Sequence, residues 1–131
     1  MNKNKLINLL SFLFCIFMQS IQAEGNFVES DMFASMQTGD KAAVLVVHFG
    51  TTHDDTRALT IDAINKKMAD AFPGIEVREA WTSRIIAFRL KTRGIHKSNP
   101  EEALARLKAE GYTHVLIQSS NIIEGIEMES L

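Results

Sequence analysis

From residue 42 onward, apolar and polar positions alternate between two periods, and the switches mark the elements. Residues 43–47 (Ala-Val-Leu-Val-Val) are apolar without interruption and rich in β-branched side chains. Such a run predicts a central strand covered on both faces. It leads through His48-Phe49-Gly50-Thr51-Thr52 into His53-Asp54-Asp55. Here Thr51 or Thr52 is expected to cap a helix, and the two acids suit its positive end. Ile61, Ile64, Met68, Ala71 and Phe72 then recur at helical spacing until Pro73-Gly74, predicting one helical face laid on the sheet. Residues 75–81 alternate at their start, as an outer, half-exposed strand does. Thr82 or Ser83 is the expected cap of a second helix carrying Ile85, Ile86, Arg89 and Leu90 and ending near Gly94.

Asn99-Pro100-Glu101-Glu102 supplies a cap, a proline at the first helical position and an acid at the third, a strong helix start. Ala103, Leu104 and Leu107 form that helix's apolar face, and Gly111 ends it. Residues 113–120 read as a third strand, and residues 124–131 as the beginning of another helix. The predicted order is β-α-β-α-α-β, an α/β fold with parallel strands and right-handed crossovers. Three strands make a thin sheet, so the pattern is expected to belong to a longer chain. Open α/β enzymes often place a site between two such halves.

Three strand ends fall on one edge, where α/β folds hold their ligands. His48 there can ligate a metal or shuttle a proton; the plainer alternative is a partly buried imidazole bonded to nearby backbone. His53 can flank the same cleft, but two histidines make a weak metal signal. His96 lies in a loop and His114 at the opposite end of its strand, so both read as solvated or structural. Gly50-Thr51-Thr52 could hold an anion on its amides, or serve only to cap a helix. It lacks the glycines and lysine of a phosphate loop. Trp81 offers a face for stacking and Arg84 a partner for a carboxylate; packing and solvation are the alternatives. Ser119-Ser120-Asn121 adds a polar rim.

The remaining composition narrows the setting. Lys3 and Lys5 precede a largely apolar stretch from residue 6 to 18, followed by a polar, small-ended region closing at Ala23. That layout predicts a cleaved signal peptide over residues 1–23 and an exported, periplasmic protein. Residues 24–41 read as a linker or loosely docked arm. Cys15, the single cysteine, would leave with the signal, so no disulfide or thiolate chemistry is expected of the mature chain. Setting aside Lys3 and Lys5 leaves 12 of the 14 basic residues against 16 acidic ones, a net charge of about −4. No basic stripe interleaved with aromatics is present, which argues against nucleic acid as a partner.

Taken together, Val46-Val47-His48-Phe49-Gly50-Thr51-Thr52, Asp55-Thr56 and Ala80-Trp81-Thr82-Ser83 carry a resemblance. Ala109-Glu110-Gly111-Tyr112, Val115-Leu116-Ile117-Gln118-Ser119 and Ile122-Ile123-Glu124-Gly125-Ile126-Glu127 extend it. The series is similar to the anaerobic sirohydrochlorin cobaltochelatase family, with its V-V-S-F-G-T-S and Q-S-x-H-I-I-x-G-x-E-[YF] motifs. It covers residues 42–131, the first of that family's two similar α/β halves. The resemblance implies a chelatase-like, flavodoxin-like three-layer parallel sheet, one half of a two-domain fold. It also implies insertion of Co2+, as substrate metal, into sirohydrochlorin on the anaerobic cobalamin route, with no tightly bound cofactor.

The macrocycle is expected between the halves, lined here by His48, Gly50, Thr51, Thr52, Trp81, Ser83, Arg84, Ser119 and Asn121. The principal metal and base residues of the family lie in the other half, beyond Leu131, so no catalytic residue is assigned. The expected partners are therefore a tetrapyrrole and a carboxy-terminal half-domain, with a homo-oligomer as a further candidate. His48 and Asn121 stand where the family shows serine and histidine. Together with the signal sequence, they raise an alternative: a periplasmic protein that binds haem or another tetrapyrrole, with a histidine as axial ligand.

Overall fold

The computed structural model describes residues 31–122; the expected signal peptide, the first part of the arm and the helix start at 124–131 lie outside them. Strand β1 (Ala42–His48) is buried along its whole length. It runs parallel to both neighbours, β2 (Glu76–Trp81) and β3 (His114–Ser119), in the order β2-β1-β3. Register pairs His48 with Trp81 and Val47 with both Ala80 and Ser119, so all three strands end on one edge. The pairing runs on past the strands, since Thr82 and Ser83 donate their amides to the His48 and Phe49 carbonyls.

Helices cover both faces of the sheet. On one face Leu45, Val47 and Ala80 pack with Ala103 of helix α4 (Pro100–Ala109), joined by Leu104 and Val115. On the other, Trp81 packs with Ile61 of α2 (Ile61–Ala71) and Leu90 of α3 (Arg84–Lys91). Alternation along β1 divides its side chains between the two layers, which explains a run with no polar position until His48. The expected three-layer α/β architecture is what forms.

The caps at α3 and α4 are those the sequence predicts. Ser83 Oγ accepts from the Ile86 amide, and Asn99 and Glu102 form a reciprocal capping box behind Pro100. The first helical segment differs from expectation. It is two helices, α1 (Asp54–Leu59) and α2, jointed at Thr60. Thr60 Oγ1 donates to the Thr56 carbonyl at 2.7 Å, a back-bond that competes with regular helix. The residue capping α1 is His53, with no side-chain bond, rather than Thr51 or Thr52. Thr51 Oγ1 instead accepts from the His53 amide.

Two expected packing faces are also narrower than predicted. On α2 the inward stripe is Ile61, Asn65, Met68 and Phe72, while Ile64 and Ala71 face outward. On α3 Leu90 is fully buried, but Ile85 is 67% exposed. The arm residue Phe33 lies against Phe72 with ring centroids 5.9 Å apart.

These exposures separate two substitutions of similar chemistry. Leu90→Ala, made where the side chain fills the space beside Trp81, is expected to cost about 2–5 kcal/mol. Ile85→Ala is expected to stay within about 0.5 kcal/mol. Urea unfolding of both variants checks the difference, and equal losses would contradict the assignment of the inward face.

Candidate functional site at the strand-end rim

His48 closes the buried strand and is itself only 1% exposed. Both of its ring nitrogens are taken by side chains. Nδ1 lies 2.8 Å from Ser120 Oγ, and Nε2 lies 2.9 Å from Asn65 Oδ1. Asn65 Nδ2 donates at 2.9 Å to Glu79 Oε2, and Lys97 Nζ donates to the other carboxylate oxygen. A single polar chain therefore runs Ser120–His48–Asn65–Glu79–Lys97 through an otherwise apolar layer.

Its donors and acceptors can be ordered from the charged end. Burial pushes the Glu79 carboxyl up, but the hydrogen bond and charge of Lys97, with help from Trp81 and Asn65, outweigh it and hold the acid below its ordinary range. An ionised carboxylate only accepts, so Asn65 must turn its NH2 toward Glu79 and its carbonyl toward His48. Nε2 of His48 then carries the proton. In the neutral ring Nδ1 is left as an acceptor, which receives the Ser120 hydroxyl. The expectation that His48 offers a nitrogen to a metal, a haem or a cleft ligand is thus not met, because neither nitrogen is free.

Trp81 is likewise a packing residue, 1% exposed, and does not present its face for stacking. Lys97 Nζ sits 4.7 Å from the ring centroid, a cation–π contact. The indole N–H is buried without a hydrogen-bond partner; Glu79 is near enough to feel its dipole but outside bonding geometry. Gly50 lies on this ring with φ +107°, and a Cβ there would come 2.5 Å from Trp81 Cε3. Backbone conformation and close approach both demand glycine at this position. Ser83 is buried in its capping role. Two expected cleft residues, Gly50 and Ser83, therefore build the wall rather than line it, and Trp81 backs the cleft beside Arg84 only from its buried position.

The remaining expected residues do reach the rim. Thr51, Thr52, Ser119 and Asn121 are half-buried there, beside Ser120. Thr52 gives its carbonyl to Arg93 Nη1 at 2.8 Å, and Arg93 Nη2 reaches Asp54 at the same distance. Helix α1 has only six residues, too few to concentrate much dipole at its start. The anion cradle expected at 50–52 is accordingly not built.

Arg84 is exposed and makes no ion pair among the described residues. It shares a cleft of about 210 Å³ with Phe88, Lys91, His96 and Lys97. That volume is smaller than a drug-sized ligand usually needs, and its lining sets Arg84, Lys91 and Lys97 among Trp81, Phe88 and Glu102. It suits an acidic side arm better than a macrocycle. His53 is exposed at the start of α1. His114 pairs with Thr113 Oγ1 at the far end of its strand, as expected of a structural residue. Among the described residues no three of His, Cys, Asp and Glu gather as metal ligands.

Asn65, Glu79 and Lys97 join the site without being among the residues that the sequence points to. Two of them left a signal in the sequence. Asn65 is a polar residue on the inward stripe of α2, and Glu79 falls in phase with Val77 and Trp81 along β2.

Comparison with known proteins places this geometry in context. The family model described as cobalt chelatase (CbiK) matches residues 42–131. The chain is 41% identical over 92 residues to the sirohydrochlorin cobaltochelatase of Salmonella typhimurium, covering 70% of this chain and 35% of that protein. It is 33% identical over 91 residues to sirohydrochlorin cobaltochelatase CbiKC of Nitratidesulfovibrio vulgaris, covering 70% and 32% respectively. The chain spans about a third of the length of the curated relatives it matches.

The lowered Glu79 carboxyl fixes a pH dependence. Because folding depresses this group, its contribution is present above the unfolded value and is lost as pH falls through the folded one. The stability gap between the protein and Glu79→Gln should be widest above about pH 5 and narrow from about pH 4.5 downward. Thermal melts across that range measure it. A gap independent of pH would contradict an ionised Glu79 at the charged end of the chain.

Proposed function

The chain belongs to the cobalt chelatase (CbiK) family, and on that premise we propose that it forms the amino-terminal wall of a sirohydrochlorin cobaltochelatase site. One observation carries the reading: three parallel strands finish on a common rim bearing small polar side chains, Thr51, Thr52, Ser119, Ser120 and Asn121, with a cleft beside it that holds Arg84, Lys91 and Lys97. In this reading a flat macrocycle lies against that rim, where the apolar Phe49 is also exposed. Its acidic arms reach Arg84 and its neighbours.

Insertion needs two pyrrole protons removed as a strongly hydrated cation sheds water, so a base and a labile metal site are both required. In this reading Co2+ is a substrate, and its delivering histidines and acid come from a second α/β half, the partner that completes the cleft. The rim then holds and orients the tetrapyrrole. No tightly bound cofactor takes part. The chain is exported, its first 23 residues serving as a signal peptide removed at Ala23.

Sirohydrochlorin added to the purified chain should shift the macrocycle's absorption and raise the melting temperature. Arg84→Ala should weaken binding about tenfold, the loss of one charge-assisted contact. The chain alone should insert little or no Co2+; robust insertion would refute the need for a second half. If sirohydrochlorin leaves both absorption and melting unchanged, the reading fails. Expressed in a bacterium with two membranes, the mature protein should appear in the periplasmic fraction beginning at Glu24. A cytoplasmic product retaining Met1 would contradict export.

A further inference from the structure

The polar chain ends at the rim in a group that the family resemblance does not single out. Ser120 follows β3 directly, is half-buried, and anchors its amide on the Val47 carbonyl at 2.9 Å. Its Oγ is 2.8 Å from His48 Nδ1. Behind it His48 is sealed from solvent, so the imidazole can act on a ligand only through Ser120. The other ring nitrogen is fixed by Asn65, which Glu79 and Lys97 hold in turn. A histidine needing only to be satisfied could bond to any carbonyl; this one is backed, through Asn65, by a carboxylate and fronted by a hydroxyl at the rim.

We propose that Ser120 Oγ is a proton-transfer site, with His48 as the base behind it and Asn65, Glu79 and Lys97 as positioning residues. Naming a tetrapyrrole N–H as the proton source rests on the chelatase reading. The transfer is concerted. The N–H bond breaks, its electron pair stays on nitrogen to receive the cation, and the proton binds Ser120 Oγ. The original Oγ–H bond breaks as its proton forms a bond to His48 Nδ1. His48 becomes imidazolium, with its Nε2–H still on Asn65 Oδ1. The Glu79 carboxylate offsets the new charge through the amide, and Lys97 keeps the acid ionised. The return path is the reverse, from Nδ1 through Ser120 to water.

A thiol in place of the Ser120 hydroxyl reports the strength of that base without any tetrapyrrole. In the full chain carrying Cys15→Ala, Ser120→Cys is alkylated with iodoacetamide across pH. The expected midpoint lies at least about one unit below the ordinary thiol value of about 8.5. Adding His48→Gln should restore the ordinary value. Because removing a buried imidazole can unfold the protein, Asn121→Cys on the same rim provides a second reference and should titrate as an ordinary thiol. A Ser120→Cys profile matching that of Asn121→Cys overturns the proposal.

Sirohydrochlorin then tests the proton source. Protection of the Ser120→Cys thiol from alkylation supports the assignment to pyrrole protons. Binding without protection puts Ser120 away from the macrocycle and overturns that assignment. If sirohydrochlorin does not bind at all, the chelatase reading falls, and the thiol profile alone still decides whether the proton-transfer site exists.

Discussion

A histidine at the end of a strand buried along its full length must have both ring nitrogens partnered, and that requirement organises the structure around it. Each unpaired buried nitrogen would cost about 1–3 kcal/mol. The partners come from different elements: Asn65 from α2 and Ser120 from the end of β3, with Glu79 on β2 behind Asn65. Satisfying one imidazole thus ties all three strands to the helix that covers them.

The rim follows from this tie and from the indole beside it. Trp81 fills the layer between Ile61 and Leu90, and Gly50 allows the chain leaving β1 to lie directly on the ring. With the indole placed below the edge, Thr51, Thr52, Ser119, Ser120 and Asn121 stand above it together with the exposed Phe49. Lys97 serves both parts, bonding Glu79 and covering the Trp81 face. Wall and polar chain therefore share one cation, and the chemistry at the rim cannot be changed independently of the packing beneath it.

Much of this could be read from the residues. The apolar run before His48 marked a doubly covered strand, and Asn99-Pro100-Glu101-Glu102 marked a capping box that forms as expected. The parallel order followed from the alternation of periods. What could not be read was the direction of particular side chains. Trp81, Ser83 and Gly50 are suited to a cleft by type, yet tertiary packing turns them inward or under the chain. The stripe on α2 is rotated from the apolar count because Asn65 has a buried partner, a trade that hydrophobic periodicity does not register. Thr60 split a helix for the same kind of reason, a side-chain bond competing with the backbone. The polar chain is not legible in the sequence because its members lie far apart along it and only the fold brings them together.

The central claim is that this chain is polarised from Lys97 and Glu79 outward, leaving His48 Nδ1 as the acceptor of the Ser120 hydroxyl. Nitrogen-15 NMR of the histidine rings, taken well above the ordinary imidazole range of about 6.5, reads it directly. The account predicts a single tautomer for His48, with the proton on Nε2 and Nδ1 bare. A ring protonated on Nδ1, or one averaging between tautomers as in solvent, would contradict it.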